Sequence, residues 1–256
     1  MSSADPSRRR FLRHLLTAGG GLLLGACDAA SRSARVSKVL ELGEHLSRGV
    51  QHAVTPRRSM AQEFTEDDLS PQFRSNGTAQ PDSVEYHALA QNGFADWRMR
   101  VDGLVERPLQ LSLDELRAMR SRTQITRHDC VEGWSAIGKW TGVPLSEVLA
   151  LARPRTEARY VMFYCADPMD GSGTKYYESI DLEDAQHPQT ILAYALNDQT
   201  LPIANGAPLR LRVERQLGYK MAKYLMRIEL VASFAHIRGG KGGYWEDEGY
   251  EWYAGI

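Results

Sequence analysis

The chain has 256 residues, of which 43% are hydrophobic and 25% charged, and its formal net charge at pH 7 is −1. This composition is that of an ordinary globular protein and excludes a disordered or collagen-like chain. The total charge hides an asymmetry, because residues 1–58 carry a net charge of +6 and the remaining residues carry −7. An acidic domain binds polyanions poorly, so the sequence predicts no nucleic-acid partner.

The basic N-terminus has the form of an export signal. Arg8-Arg9 is followed, after one residue, by Phe11-Leu12, which is typical of an address read by the twin-arginine translocase. The mostly apolar residues 15–26 are too few to span a bilayer as a helix, which needs roughly 20 residues, and they indicate a signal-peptide core. The string Leu-Gly-Ala-Cys that ends at Cys27 resembles a lipoprotein processing box. We therefore predict a signal over residues 1–27, a periplasmic location and a candidate lipid attachment at Cys27.

The next segment is predicted to connect this signal to a folded domain. Residues 28–69 read as a linker or N-terminal extension with weak helical spacing over 36–46. Residues 61–90 contain prolines and an Asn-Gly pair, which predict an irregular approach to the domain. The domain itself is expected to cover residues 70–256.

Within the domain, short strand and helix patterns follow one another without a regular βαβ rhythm. A capping-box pattern formed by Ser112 and Glu115 predicts a helix through Met119, and a second helix is expected after Pro144. Apolar runs or alternation predict strands at 97–105, 160–165, 191–196, 209–213 and around 228–230, with a helical turn at 181–187. The predicted fold class is α+β, with a mixed sheet and short helices.

Cys130 is the most informative residue of the chain. It lies in residues 127–135 (Arg-His-Asp-Cys-Val-Glu-Gly-Trp-Ser), whereas Cys165 lies in an apolar run and Cys27 is accounted for by processing. Arg127 and His128 are close in sequence, and nearby positive charge favours a thiolate. One interpretation is a disulfide between Cys130 and Cys165 in an exported protein. The other is cofactor or metal ligation, which twin-arginine export favours because that route carries proteins already folded around cofactors.

A second group of polar residues lies in two nearby segments, 205–210 (Asn-Gly-Ala-Pro-Leu-Arg) and 218–223 (Gly-Tyr-Lys-Met-Ala-Lys). Strand alternation places Arg210 and Arg212 on the same face, so Arg210 is either solvated or directed at an anion. A glycine-containing loop with lysines suits a phosphate, which arginine binds as a fork and lysine as a point charge.

These three segments together resemble the cofactor motifs of the sulfite oxidase family of molybdopterin enzymes. The resemblance extends over roughly residues 70–256 and is strongest to the small, exported bacterial members of that family. It implies a single sulfite-oxidase-type domain that binds a molybdenum-molybdopterin cofactor. It also implies that Cys130 is the protein thiolate on molybdenum, for which a soft ligand is suitable.

The resemblance carries over to further positions. Asn76 and Asn205 would contact the pterin, and Arg210 and Lys223 would hold its phosphate. Backbone N–H groups of Met221 and Ala222 would assist them. Cys165 falls where family members have a threonine that contacts the cofactor, and a thiol is a weaker hydrogen-bond donor than a hydroxyl. Its alternative role is that of a small buried apolar residue.

The implied activity is a two-electron oxygen-atom transfer at molybdenum, with a small-molecule substrate such as a sulfoxide or a sulfite-like compound. No Cys-x-x-Cys-His haem-attachment motif occurs in the sequence. Electrons are therefore expected to pass through a separate membrane subunit linked to haem or quinol.

Two alternatives remain open at this point. One is a zinc or copper site formed by Cys130 with His128 and His187. The other is a periplasmic lipoprotein that keeps the fold as a binding module without the cofactor. Arg127 and His128 are either substrate-orienting groups or structural hydrogen-bonding residues of the cysteine segment.

Overall fold

The computed structural model describes residues 59–171 and 173–256. The strands in these ranges are β1 (Met99–Gly103), β2 (Leu109–Leu111), β3 (Arg122–Cys130), β4 (Trp134–Pro144), β5 (Tyr160–Pro168), β6 (Lys175–Asp181), β7 (Ile191–Leu196), β8 (Gln199–Thr200), β9 (Arg210–Arg212) and β10 (Leu225–Val231). The α-helices are α1 (Val84–Gln91), α2 (Leu113–Ala118), α3 (Leu145–Ala152), α4 (Leu182–Ala185) and α5 (Tyr244–Asp247).

The strands form two sheets. The first sheet has the order β2-β1-β10-β5-β6, in which β1 and β10 pair in parallel and the other neighbours pair antiparallel. The second sheet has the order β3-β4-β7-β8, with β9 also pairing with β7, and its pairs are antiparallel. Mixed pairing with short helices confirms the predicted α+β class.

One large apolar cluster contains residues of both sheets. The first sheet contributes Val101, Phe163 and Ile228, and the second contributes Val143 and Leu192. Helix α3 adds its apolar face to the same cluster. Burial of these apolar side chains is the main stabilising contribution to the fold. Their close packing also fixes the positions of the two sheets' strands.

Local signals predicted several elements correctly. The Ser112 hydroxyl accepts a hydrogen bond from the Glu115 N–H at 3.2 Å, and the Glu115 carboxylate accepts from the Ser112 N–H at 2.7 Å. This reciprocal pair is the capping box that begins α2. Helix α3 begins directly after Pro144, as predicted.

The hairpin of β3 and β4 was not predicted by any apolar pattern. Its buried face on β3 carries Gln124, Thr126 and His128, all almost fully buried, in the positions where a strand normally shows apolar residues. Because the buried face is polar, the alternation that indicates a half-buried strand is missing from the sequence. Helix α1 also lies inside the segment that was predicted to be irregular, residues 61–90.

The first described residues already contact the second sheet. The Ala61 N–H donates to the Gln189 side chain at 2.7 Å, and the Phe64 N–H donates to the Ile125 carbonyl at 2.8 Å. These contacts belong to the segment predicted as a linker, residues 28–69. The predicted signal and Cys27 lie outside the described residues. Within the described ranges, no helix combines the length and the apolar character that crossing a bilayer requires.

Candidate active site

Cys130 lies at the C-terminal end of β3, where the chain turns into β4. The Gly133 N–H donates to the Cys130 carbonyl at 3.0 Å and closes this turn, and Gly133 has a positive φ of 83°. The Cys130 side chain is only 9% exposed, yet it lines a pocket open to solvent. The hairpin therefore presents one thiol at the pocket from a backbone held by the pairing of β3 with β4.

The positive charge of Arg127 is directed away from the Cys130 thiol. Alternation along β3 turns Arg127 and Asp129 to the face opposite Cys130, where they form an ion pair at 2.9 Å. The Ser135 hydroxyl also donates to Asp129, at 2.5 Å. Burial raises the pKa of Cys130 above its ordinary value, so the expectation that Arg127 and His128 favour a thiolate is wrong. A bound metal ion is what would deprotonate this thiol.

The two cysteines of the domain are both free thiols, so the alternative of a Cys130–Cys165 disulfide is wrong. Cys165 lies on β5 within the large apolar cluster, and burial raises its pKa well above the ordinary value. Such a thiol behaves as a small apolar residue. The structure therefore places Cys165 in the core, and its contact with a cofactor stays a prediction.

His128 packs against Gly218 and Met221, two residues that line the pocket. Arg212 donates from Nη1 to the His128 Nδ1 at 3.0 Å, and the Met221 sulfur lies 3.3 Å from the same nitrogen. Because arginine only donates, Nδ1 is the acceptor and the ring proton is on Nε2. Burial, and then the charge of Arg212, keep the pKa of His128 well below its ordinary value, so the ring is neutral. Gly218 packs so closely that a Cβ there would lie 2.4 Å from the ring. These contacts indicate a structural role for His128.

Arg210 and Lys223 form a pair of buried cations. Arg210 is fully buried and donates to the carbonyl of Asn205 at 3.0 Å, with its guanidinium 4.9 Å above the ring of Trp140. Lys223 donates to the carbonyl of Asn76 at 2.6 Å and to two other carbonyls. The interpretation that Arg210 is solvated is therefore wrong.

Gly206 lets the two cations approach each other. It has a φ of 111°, and a Cβ there would lie 2.9 Å from Cβ of Lys223 and 3.2 Å from Cβ of Arg210. Any other residue would separate the two side chains and would strain the backbone. The glycine in the segment 205–210 thus has a packing function between the cations.

Neither member of this pair has a carboxylate within ion-pair distance among the described residues. By contrast, Arg212 binds Glu214 at 2.5 Å, and Lys220 binds Glu178 at 2.5 Å. Burial, and then the charge of Arg212, lowers the pKa of Arg210 to about 9. Burial, and then the charge of Arg210, lowers the pKa of Lys223 to about 7. Two buried cations that lack an anion would be stabilised by a bound anionic group.

In and next to the pocket beside these cations, several buried polar atoms have no hydrogen-bond partner among the described residues. Oδ1 of Asn76, Oδ1 of Asp167, Nδ2 of Asn205 and Nε of Arg210 are all buried and unpaired. Asn76 and Asp167 line the pocket together with Cys130 and Lys223. Buried polar groups are normally satisfied, so this set of donors and acceptors fits a ligand that carries both an anion and hydrogen-bonding groups.

The structure brings most of the predicted cofactor residues together. Asn76, Cys130, Met221 and Lys223 line one pocket, with Asn205 and Arg210 buried next to Lys223. The Met221 N–H already donates to the Gly218 carbonyl at 3.1 Å, and Ala222 lies in the apolar cluster. Two sets of pocket residues were missed, namely Asp167 and the aromatic residues Tyr219, Trp245 and Tyr250. A carboxylate at the end of an apolar strand was the available signal for Asp167.

The zinc or copper alternative gains no support. It required Cys130, His128 and His187 to converge, and no group of three or more His, Cys, Asp or Glu side chains in residues 59–171 and 173–256 is placed to hold a metal ion. Nδ1 of His128 instead contacts Arg212 and Met221. A site in which the protein provides a single thiolate agrees better with this geometry.

Comparisons with known proteins identify the family of the chain. Residues 87–236 match the family described as oxidoreductase molybdopterin binding domain. The chain is 38% identical over 250 residues to YedZ1 of Azospira oryzae, named as a subunit of a protein-methionine-sulfoxide reductase; this alignment covers 98% of the chain and 88% of that protein. It is 43% identical to the protein-methionine-sulfoxide reductase catalytic subunit MsrP of Xanthomonas axonopodis, over 54% of the chain and 46% of MsrP.

A solved structure shares the fold. The sulfane dehydrogenase SoxCD from Paracoccus pantotrophus aligns with a TM-score of 0.50 over 72% of this chain and 48% of that chain, at 21% identity. The family match covers more than half of the sequence, and the relative from Azospira aligns along nearly all of it. The chain therefore belongs to the sulfite oxidase family of molybdopterin-binding oxidoreductases.

Proposed function

We propose that this protein is the catalytic subunit of an exported sulfoxide reductase. The reaction would be R2SO + 2 electrons + 2 protons → R2S + H2O, in which the sulfur is reduced and its oxygen leaves as water. The observation that carries the proposal is the buried pair Arg210 and Lys223, which has no carboxylate partner among the described residues; Lys223 lines the pocket of Cys130, and Arg210 lies next to Lys223. The relatives are named as subunits of methionine-sulfoxide reductases, which supports a sulfoxide as substrate.

The residues of the pocket suit a molybdenum-molybdopterin cofactor. When bound, the metal would supply the two-electron oxygen-atom transfer. Cys130 would be its protein thiolate, and Arg210 and Lys223 would bind the phosphate of the pterin. The unpaired side-chain atoms of Asn76 and Asn205 would bind the pterin through hydrogen bonds. Contacts from Cys165 and from the backbone of Met221 and Ala222 remain part of the proposal.

Asp167 adds an acceptor that the motifs did not indicate. Its unpaired Oδ1 is buried in the same pocket as Cys130 and Lys223. Burial raises the pKa of this carboxyl to about 6, and donors from a ligand would lower it again. Asp167 is therefore suited to accept N–H groups of the bound cofactor.

The proposed location is the periplasm, reached by the twin-arginine route, with Cys27 as the lipid-attachment site. A lipid there would hold the domain close to the membrane surface. The electrons would then come from a membrane-bound haem or quinol-linked subunit. The relatives are named as subunits, which supports a separate electron-transfer partner.

A direct assay tests the proposed reaction. Full-length protein purified from a molybdenum-competent host should contain molybdenum and pterin and should oxidise reduced benzyl viologen only when methionine sulfoxide is added. Cys130→Ser should keep much of the pterin and lose turnover, because a hydroxyl is a harder and poorer ligand for the metal. Molybdenum-loaded protein that reduces no sulfoxide, or a fully active Cys130→Ser variant, would contradict the proposal. Protein with zinc and no molybdenum would favour the alternative of a metal-binding or non-enzymatic module.

A further inference from the structure

The pocket has two chemically different sides. Its polar side contains Asn76, Asp167 and Lys223, which the proposed cofactor site uses. Its other side is formed by Tyr219, Trp245 and Tyr250, which we name the aromatic wall. From this division we infer that the aromatic wall selects the substrate by packing against the apolar substituents of a sulfoxide. This inference rests on the proposed sulfoxide reductase function and names the determinant of its specificity.

The aromatic wall is a continuous surface. Trp245 and Tyr250 are stacked with ring centroids 5.4 Å apart and an angle of 28° between their planes. Tyr219 meets Tyr250 edge to face at 5.3 Å. Tyr219 is almost buried, whereas Tyr250 is 40% exposed, so the wall extends from inside the pocket to its rim.

The chemistry of this wall suits a substituted sulfoxide. The Tyr219 hydroxyl donates to the Glu251 carbonyl at 2.7 Å, so its hydrogen-bonding end is directed at the protein backbone. The pocket also contains the side chains of Val131 and Met169, which add apolar surface near Cys130. Aromatic faces attract both sulfur and apolar groups, whereas the small polar sulfoxide oxygen gains nothing from them. A substrate would therefore direct its substituents to the wall and leave its oxygen for the reacting centre.

A buried ionic cluster fixes the aromatic wall in place. Helix α5 has only four residues, which is too short to be stable by itself. Glu246 of this helix is fully buried and binds Lys220, which also binds Glu178 of β6 at 2.5 Å. Lys220 directly follows Tyr219 in sequence, so one lysine connects Tyr219 and the helix of Trp245 to the first sheet.

A second anchor lies on the next residue of α5. Asp247 accepts hydrogen bonds from the N–H groups of Gly239 and Lys241 at 2.8 and 2.9 Å, and from the Tyr177 hydroxyl. Consecutive anchored residues hold Trp245 rigidly, and rigid contacts discriminate between substrates better than mobile ones. Glu246 is thus a positioning residue for the wall and does not touch the substrate.

The selectivity test uses molybdenum-loaded, full-length protein with two sulfoxides of different size. The ratio of kcat/KM for methyl phenyl sulfoxide to that for dimethyl sulfoxide should fall about tenfold in Trp245→Ala, the order expected for loss of one aromatic contact. Trp245→Phe should retain most of the selectivity. Phe234→Ala serves as a matched control, since Phe234 packs on Tyr160 at 4.7 Å and lies outside the pocket lining.

A binding measurement separates the wall from the proposed reaction. Methyl phenyl sulfone is an analogue whose calorimetric Kd should rise about tenfold in Trp245→Ala and in Tyr250→Ala. This measurement needs no turnover, so it stays informative if wild-type protein reduces no sulfoxide and the proposed function fails. Tyr250→Ala changes an exposed rim residue and keeps the test valid if Trp245→Ala does not fold.

The positioning role has its own readout. Glu246→Ala should lower the same kcat/KM ratio through the KM for methyl phenyl sulfoxide, and Glu246→Gln should restore most of it because an amide oxygen still binds Lys220. Unchanged selectivity and unchanged Kd in both Trp245→Ala and Tyr250→Ala would overturn the inference. Loss of bound pterin in these variants, with no change in the selectivity of the loaded fraction, would also overturn it, because the wall would then be a cofactor contact.

Discussion

At the scale of single residues, the candidate site differs from the rest of the core in how its cations are neutralised. Arg212 and Lys220 are buried with carboxylate partners, whereas in the described part of the chain Arg210 and Lys223 are buried with neutral partners, chiefly backbone carbonyls, and no carboxylate. Carbonyl dipoles offset only part of the cost of burying a charge. Near pH 7 the free protein therefore holds Arg210 charged and Lys223 partly protonated, and an anionic ligand would stabilise the charged form of both.

This difference predicts the effect of removing either cation. Arg210→Ala and Lys223→Ala should each lower cofactor occupancy, since each removes a charge-assisted contact of about 1.5–3 kcal/mol, or roughly ten- to a hundredfold in affinity. Molybdenum content and pterin fluorescence after denaturation measure the loss. Lys175→Ala, at an exposed surface ion pair with Glu85, is the matched control and should leave occupancy unchanged. Full occupancy in both single variants and in the double variant would show that these cations do not hold the phosphate.

Asp167 predicts a pH dependence of stability in the cofactor-free protein. Burial raises its folded-state pKa from 3.8 to about 6, so the folded protein binds this proton more tightly than the unfolded chain does. Protonation of this carboxyl therefore favours the folded state. Its contribution to the free energy of unfolding is fully present below about pH 4 and is lost as the pH rises through about 6. Asp167→Asn carries no charge and should be more stable than the wild type at pH 7 by up to about 3 kcal/mol.

Urea unfolding at pH 4 and pH 7 checks this prediction. The free energy of unfolding of Asp167→Asn, relative to that of the wild type, should be higher at pH 7 than at pH 4. Asp114→Asn changes a side chain that is 93% exposed and should show no comparable growth. An equal difference at both pH values would mean that Asp167 is not protonated preferentially in the folded state.

At the scale of elements, two strand systems position the site. The β3–β4 hairpin places Cys130 at its turn, and β9 with the turn after it places Arg210 and Lys223. Strand β10 follows Lys223 and pairs with both β1 and β5, in the middle of the first sheet. Packing on β10 therefore supports the backbone on which Lys223 and Asp167 lie.

Ile228 on β10 tests this support. It is fully buried in the apolar cluster, so Ile228→Ala should lower the free energy of unfolding by about 2–5 kcal/mol through lost burial and the cavity left behind. Chemical denaturation of the purified variants measures the change. Val84→Ala, at a side chain that is 88% exposed, should change stability by less than about 0.5 kcal/mol. A loss at Ile228 no larger than that at Val84 would argue against a tightly packed centre of the sheet.

At the scale of the whole molecule, the proposed export signal precedes the catalytic domain in the chain. Replacing Arg8 and Arg9 by lysines keeps the positive charge but should leave folded, cofactor-loaded protein in the cytosol, because the translocase reads the arginines as an address. Fractionation of cells followed by molybdenum analysis of each fraction measures the outcome. Cys27→Ala should in turn release a membrane-tethered protein or block its processing. Normal export of the lysine variant, or native protein that is released without detergent, would contradict the proposed route or the tether.

Much of the fold was predictable because its signals are local. The reciprocal hydrogen bonds of Ser112 and Glu115 join residues three apart, and the apolar run of β5 reports burial directly in the sequence. The hairpin that holds Cys130 was missed because polar residues occupy its buried face, where they bind partners distant in sequence, such as Gln124 with Glu214 at 2.8 Å.

The sequence by itself determined the family, the class of the fold and the segments around Cys130, Asn205 and Lys223, since these depend on residue types at short spacing. Only the tertiary structure decided which cations lack a carboxylate partner among the described residues and which aromatic residues line the pocket. Lys220 finds its carboxylates 42 residues before it and 26 residues after it, and the second of them, Glu246, adjoins Trp245 in the same short helix. Charge pairing in a protein core is set by contacts between distant segments, and the spacing of residues along the chain does not contain it.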